Sequence, residues 1–220
     1  MAPGAKSDDT CEYGFGYDYK TDDYKLVRLV IDWDLKCSDV DVNTLGSNTW
    51  KNTPSIPYYP YYQGISGVLF NGVLHWIARI FGNDSTVMIC FDIVNERFEE
   101  VAVPEAPMPY QKEPNWEGNV FSMTVGVLEG YLCLGLHVFN VCVDVWMMED
   151  YGVQKSWIKS FSITQKSITN STYCALIWSF KNNEILLEVD DKNYRKLRLD
   201  FHFTERFTIA RTYMVSSVSL

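Results

Sequence analysis

Four times along this chain an apolar run reaches an aspartate, a polar turn follows, and an aromatic residue opens the next run; no other feature constrains the fold as much. The clearest copy is Val87–Val103, VMICFDIVNERFEEVAV, where the run ends at Asp92, Asn95 and Glu96 make the turn, and Phe98 opens the second strand. This is a β-hairpin pattern. A close copy from Leu199 to Phe207 repeats the Glu-Arg-Phe step, and looser copies run from Val40 to Trp50 and from Val141 to Trp157. The anchors Trp50, Phe98, Trp157 and Phe207 recur at intervals of roughly fifty residues, which with strands inside each repeat describes a propeller blade. Such a blade is a four-stranded sheet that cannot bury both faces alone and must stack on its neighbours. Chance recurrence of hairpins in a β-rich chain is the competing explanation, and a second repeat stands against it. Gly67–Leu74, GVLFNGVL, matches Gly126–Leu132, GVLEGYL, with a glycine at each bend. Asn71-Gly72 is a strong two-residue turn signal.

The expected fold is therefore all-β and propeller-like, with about four blades of four-stranded antiparallel sheet. The blades are placed at 13–53, 64–103, 121–163 and 173–213, after a disordered segment 1–12, and a terminal strand at 214–220 pairs into the blade from the other end of the chain. Such a set is part of a larger ring, and cut out of it would leave an apolar blade face and an unpaired strand edge open to water. Pro54 is expected to end pairing in the first blade. Tyr24–Val30 alternates weakly, which predicts burial on both faces. Leu132, Leu134 and Leu136 are placed on one face of a strand in the third blade.

At 220 residues and 47% hydrophobic, the chain can bury a substantial core, and one unit is expected. Its 19 basic and 28 acidic residues, net −9, lack the basic footprint that nucleic-acid binding needs. No apolar run approaches the roughly 18 residues of a membrane span, and Met1–Thr10 does not resemble a signal peptide. These features suggest a soluble chain of the cytoplasm or nucleus. The glycosylation patterns at Asn83 and Asn170 matter only in a secreted chain. Cys11, Cys37, Cys90, Cys133, Cys142 and Cys174 contain no CxxC pair and suit reduced core thiols. His75, His137 and His202 fall on strands of different repeats and suit structural positions better than metal ligation. Gly14 and Gly16 lack the third glycine and helix of a phosphate loop. The pairs Asp22-Asp23, Glu99-Glu100 and Asp190-Asp191 fit solvated turns and strand edges. Catalytic residues, a metal and a cofactor are accordingly not expected.

Two segments carry unusual aromatic surface. Ser55–Gly64, SIPYYPYYQG, is a connector with two prolines and four tyrosines, and Pro104–Gly118 is a long proline-rich loop holding Trp116. Long loops in compact domains are uncommon and often functional. In a propeller the loops between blades share a rim with the loops joining the second and third strands of each blade. That groups Tyr58, Tyr59, Tyr61, Tyr62 and Trp116 with Trp33 and Phe81 as a candidate binding surface. Packing of the tyrosines over a blade end is the alternative. Exposed Tyr and Trp would serve a protein client or a stacked sugar equally well.

Several stretches together resemble the F-box associated domain of plant F-box and F-box/kelch-type proteins, the group that includes the S-locus F-box proteins. They are GFGYDYKTDDYKLVRLV (Gly14–Val30), GVLFNGVLHWIAR (Gly67–Arg79), FDIVNERFEEV (Phe91–Val101), LEGYLCL (Leu128–Leu134), VDVWMMEDYGVQKSWIKSFSI (Val143–Ile163) and YMVSSVSL (Tyr213–Leu220). The resemblance implies a propeller-like substrate receptor of a Skp1-cullin-F-box ubiquitin ligase. It carries over no catalytic residue, since the ubiquitin chemistry belongs to other subunits. The residues before Tyr13 do not form an F-box, so Skp1 is expected as a partner only when an F-box is supplied. The kelch glycine pair is absent from the blades. A lectin-like propeller and a propeller enzyme are the other readings.

Overall fold

The computed structural model describes residues 10–60, 66–83, 85–104, 121–138, 142–164, 174–180, 184–189, 193–204 and 207–218, with the part from 164 onward described by strand path and pairing. Every regular element among them is a strand except a 3-10 turn at Gln154–Ser156. The strands make four antiparallel sheets. They group into two compact units, Met1–Ala102 and Val103–Leu220, where the sequence predicts one.

In the first unit β1 (Cys11–Asp18), β2 (Asp23–Asp32), β3 (Cys37–Thr44) and β4 (Thr49–Ile56) pair in sequence order. The second sheet contains β5 (Tyr58–Pro60), β6 (Val68–Phe70), β7 (Val73–Ile80), β8 (Thr86–Asp92) and β9 (Arg97–Val101). Here β5 pairs with Ala78–Ile80 and β6 with Val73–His75, so the two short strands share one edge of β7. In the second unit β10 (Phe121–Leu128), β11 (Tyr131–Val138), β12 (Cys142–Met148) and β13 (Trp157–Thr164) form the third sheet. The fourth consists of β14 (Cys174–Phe180), β15 (Glu184–Val189), β16 (Asn193–Thr204) and β17 (Phe207–Val218).

Local chemistry accounts for this order. Asn71-Gly72 and Glu129-Gly130 turn the β6–β7 and β10–β11 hairpins with φ of 49° and 78°, and 50° and 84°. Two successive positive φ angles are what a type I′ turn requires. Trp50, Phe98, Trp157 and Phe207 each stand first or second in the last strand of their sheet, so the period seen in the sequence is the period of the sheets.

Four boundaries differ from expectation. The second sheet begins at Tyr58 rather than at 64, because Tyr58–Pro60, within the expected connector, pair with the edge of β7. β1 begins at Cys11, which pairs with Val30, and Glu12 is already buried. Pairing in the first sheet continues past Pro54 to Ile56, because Pro54 falls where the β3–β4 register shifts on an edge strand, and no ladder hydrogen bond is asked of it. The separate strand expected at 214–220 is instead the continuation of β17, which stays paired with β16 as far as Val218 opposite Tyr194, absorbing one register shift beside Lys196.

The two sheets of the first unit pack face to face through one core. Val27, Leu29, Val40, Val42 and Ile56 meet Leu74, Trp76, Ala78, Ile89, Phe91 and Ile93. Each large side chain so buried stabilises the fold by roughly 1.5–3 kcal/mol. Glycines permit the approach: a Cβ on Gly14 would lie 2.6 Å from Trp76 Cζ2, and one on Gly67 2.4 Å from Trp76 Cε2. The same two glycines form a parallel bridge, with the Gly67 N–H donating to Tyr13 O at 2.6 Å.

On this packed face of β2 sits a buried cation. Lys25 Nζ lies 2.8 Å from Asp18 and 2.8 Å from Glu96, and donates to Ile93 O at 2.9 Å. Lys51 reaches the other Glu96 oxygen at 2.5 Å. Burial pushes the Asp18 and Glu96 carboxyls up, but their hydrogen bonds, those from Lys25 foremost, hold both below the ordinary value. Burial likewise disfavours charge on Lys25, and the two carboxylates outweigh it, raising its pKa. On the opposite face Arg28 is buried against Asp41, with Nη2 2.5 Å from Oδ2 and its guanidinium 5.2 Å from the centre of the Trp50 ring. Both faces of β2 are thus buried at its centre.

In the second unit Leu132, Leu134 and Leu136 of β11 are buried, and so are Cys133 and His137 at alternate positions. The three leucines share one face of the strand as expected, and the burial of Cys133 and His137 shows that its other face is covered too.

Candidate functional site

The turn joining β2 to β3 carries Trp33, the turn joining β7 to β8 begins at Phe81, and β5 on the edge of the second sheet holds Tyr59. Their rings meet. Trp33 and Tyr59 have centroids 5.1 Å apart, Tyr59 and Phe81 4.7 Å, and Trp33 and Phe81 5.7 Å in an edge-on arrangement. Such tilted contacts are favoured by the ring quadrupoles and add to the burial they produce. Hydrogen bonds tie β5 to its neighbours: Phe81 N–H donates to Pro57 O at 3.0 Å, and Ser38 Oγ, at the start of β3, donates to Tyr58 O at 2.7 Å. Trp33 remains 56% exposed, and Leu35, two residues on in the same turn, is 72% exposed. The result is an aromatic platform on the rim of the first unit.

Tyr58 does not join it. Neighbouring residues in a strand face opposite ways, and Tyr58 packs against the core with its hydroxyl bonded to Glu100. That bond, together with burial, pushes its phenol up to about 12. Of the sequence candidates, the structure brings together Trp33, Tyr59 and Phe81 and turns Tyr58 inward; Tyr61, Tyr62 and Trp116 lie outside the described residues.

A second aromatic surface escaped the sequence reading. Tyr13, Phe15 and Tyr17 of β1 alternate with buried Gly14, Gly16 and Asp18, and with Tyr24 of β2 they are all more than 40% exposed. Phe15 stacks on Tyr24 at 5.2 Å and 2° between planes. Every-second-residue aromatics between glycines were the available signal, and strict alternation of that kind marks a strand with one open face.

The platform offers contact area rather than reactive groups. Among the described residues no three His, Cys, Asp or Glu side chains are placed to hold a metal. Burial pushes the Cys133 thiol up to about 12 and the Cys142 thiol to about 11, the wrong direction for a nucleophile. His75 is buried with Nδ1 3.2 Å from Val68 O, and burial lowers its pKa to about 4, leaving it neutral near pH 7.

Residues 3–199 match the family model of the F-box associated beta propeller domain. The chain belongs to that family. Among its curated relatives in Arabidopsis thaliana, F-box protein CPR1 is 37% identical over 202 residues, covering 81% of this chain and 47% of that protein. An F-box/kelch-repeat protein is 30% identical over 161 residues, covering 71% of this chain and 42% of its own length. The chain therefore spans under half of each. A solved structure, the complex of KlAtg21 with the coiled-coil of AgAtg16, is similar in fold at TM-score 0.51 and 9% identity, covering 95% of this chain and 57% of the other. Within this F-box associated domain Trp33, Leu35, Tyr59 and Phe81 all fall inside the matched span, so the platform belongs to the domain itself.

Proposed function

We propose that this chain is the client-recognition part of an F-box receptor in a Skp1-cullin-F-box ubiquitin ligase, and that Trp33, Tyr59 and Phe81 form its contact surface. One observation carries the reading: side chains from two separate turns and an intervening strand converge on a solvent-facing aromatic platform. The F-box relatives supply the ligase context. Aromatic anchors contribute large area at low entropic cost and dominate many protein interfaces. On this reading the chain binds its client without a cofactor and does no chemistry, works in the cytoplasm or nucleus, and couples to Skp1 through an F-box.

The test is a pull-down from plant extract with the intact chain and with the triple variant Trp33→Ala, Tyr59→Ala, Phe81→Ala. Losing three anchors at about 2 kcal/mol each should lower client affinity by roughly ten-thousandfold, while the melting temperature falls by only a few degrees. Full capture by the variant, or a collapse of its stability, would reject the surface. Tyr61, Tyr62 and Trp116 are replaced in a second variant to learn whether they extend it. The 220 residues alone are expected not to retain Skp1, and a fusion carrying an F-box at the N-terminus should retain it. Stacking of a sugar on Trp33 is the competing use of such a platform. Capture of a defined glycan on an array, with no protein retained, would replace the client reading.

A further inference from the structure

The rim turn that carries Trp33 reads Asp32-Trp33-Asp34-Leu35, two carboxylates alternating with two exposed apolar side chains. One oxygen of Asp32 is committed to the fold, accepting the N–H groups of Asp34 at 2.9 Å and Leu35 at 2.8 Å. Those bonds fix the shape of the turn and leave Oδ2 without a hydrogen-bond donor among the described residues. Neither Asp32 nor Asp34 has an ion-pair partner among the described residues, in contrast to Asp18, Asp41, Glu96 and Asp144. Two cations stand near. Lys36 closes the same turn and is exposed, while Arg79, the register partner of Tyr59, is only partly exposed and already engaged within the fold. Within the turn Asp34 and Lys36 are exposed and Asp32 is half-buried, two carboxylates against one ammonium, on a chain of net charge −9.

Resting on the receptor reading above, we infer that this turn receives a client segment carrying an arginine or lysine beside an aliphatic residue. A guanidinium or ammonium laid on the exposed Trp33 ring gains the cation–π attraction that tryptophan offers best. The Asp34 carboxylate beside it supplies the opposite charge, and because the site is at the rim, that part is screened by salt. Leu35, with Tyr59 and Phe81 behind Trp33, gives the neighbouring aliphatic side chain an apolar surface. A carboxylate in the same place would meet two like charges and the negative face of the ring.

Three fluorescein-labelled hexapeptides serve as probes, alternating leucine with arginine, with glutamine or with glutamate, titrated against the whole chain by fluorescence anisotropy. The arginine peptide should bind at least tenfold more tightly than the glutamine peptide, and the glutamate peptide more weakly than both. Trp33→Ala should lower arginine-peptide affinity at least tenfold, and Trp33→Phe should restore part of it. Asp34→Asn should lower it severalfold at low salt and change little in 1 M salt. Asp150→Asn, an exposed carboxylate in the other unit, should leave it unchanged. Equal binding of the three peptides, no binding of any, or equal losses from Asp34→Asn and Asp150→Asn would overturn the inference. If the peptides bind alike while the triple aromatic variant still loses its client, the receptor reading stands and the cationic chemistry falls. If the arginine peptide binds through Trp33 while the triple variant keeps its clients, the receptor reading falls instead.

Discussion

Replacing Lys25 with methionine is expected to destabilise the first unit by about 3–5 kcal/mol, the usual cost of removing one partner from a buried ion pair. Asp18 is 1% exposed and Lys25 5%, so the variant would leave a carboxylate in the interior without its cation. Methionine fills most of the lysine stem's volume, so lost packing contributes little and the uncompensated charge decides the outcome. The pH dependence separates this cause from a packing defect. In the parent, Asp18 and Glu96 have lowered folded pKa values. Their contribution is complete above the ordinary carboxylate range near 4 and disappears as pH falls through the folded values. Lys25 is raised, so its contribution is complete below about 10.4 and disappears as pH rises past the folded value. In the variant the buried Asp18 should titrate above its unfolded value, so acid neutralises it and relieves the strain. The gap between parent and variant should therefore be widest between about pH 6 and 9 and shrink toward pH 4. Urea unfolding followed across that range would decide, and a gap independent of pH would exclude the ion cluster as the cause.

Trp76→Ala is the second large effect, expected to cost about 3–5 kcal/mol. The ring is 2% exposed and lies in the core shared by the two sheets of the first unit, against positions 14 and 67, where no side chain stands. The reciprocal change is informative. Gly67→Val would put a Cβ 2.4 Å from the ring, overpacking the contact at a cost of about 1–3 kcal/mol. Since both substitutions act on one space, Trp76→Leu combined with Gly67→Val should lose less than the sum of the single changes. Residues in contact commonly couple by about 0.5–3 kcal/mol. Additive losses in a double-mutant cycle would mean that Gly67 is kept for its backbone and not for the ring above it.

Much of the candidate platform was legible because loops of one kind share a rim in any propeller. Trp33 and Phe81 occupy the same turn in successive sheets, so their grouping needed only the repeat and the topology. The pattern could not say which tyrosines would accompany them. β5 is three residues long, too short for alternation to reveal its faces, and the inward turn of Tyr58 depends on Glu100, a residue of β9. The exposed stripe of Tyr13, Phe15 and Tyr17 had a clear period, yet which face of β1 meets the second sheet is settled by the fit of Trp76 onto Gly14.

What the sequence determined by itself is what short-range physics controls. Strands, their order and the fifty-residue period follow from apolar runs, from turn residues such as Asn71-Gly72 that tolerate positive φ, and from aromatic anchors placed just beyond each turn. The tertiary structure decided what depends on a partner far along the chain. Lys25, by composition a solvated strand residue, is buried because Glu96, seventy-one positions away, arrives to share its charge. Pro54 stays within a strand because it falls on an edge where the register shifts. Trp33, Tyr59 and Phe81 become one surface only when two sheets pack closely enough for their turns to touch. Desolvation and packing energies depend on neighbours in space, and neighbours in space are what a linear pattern does not contain.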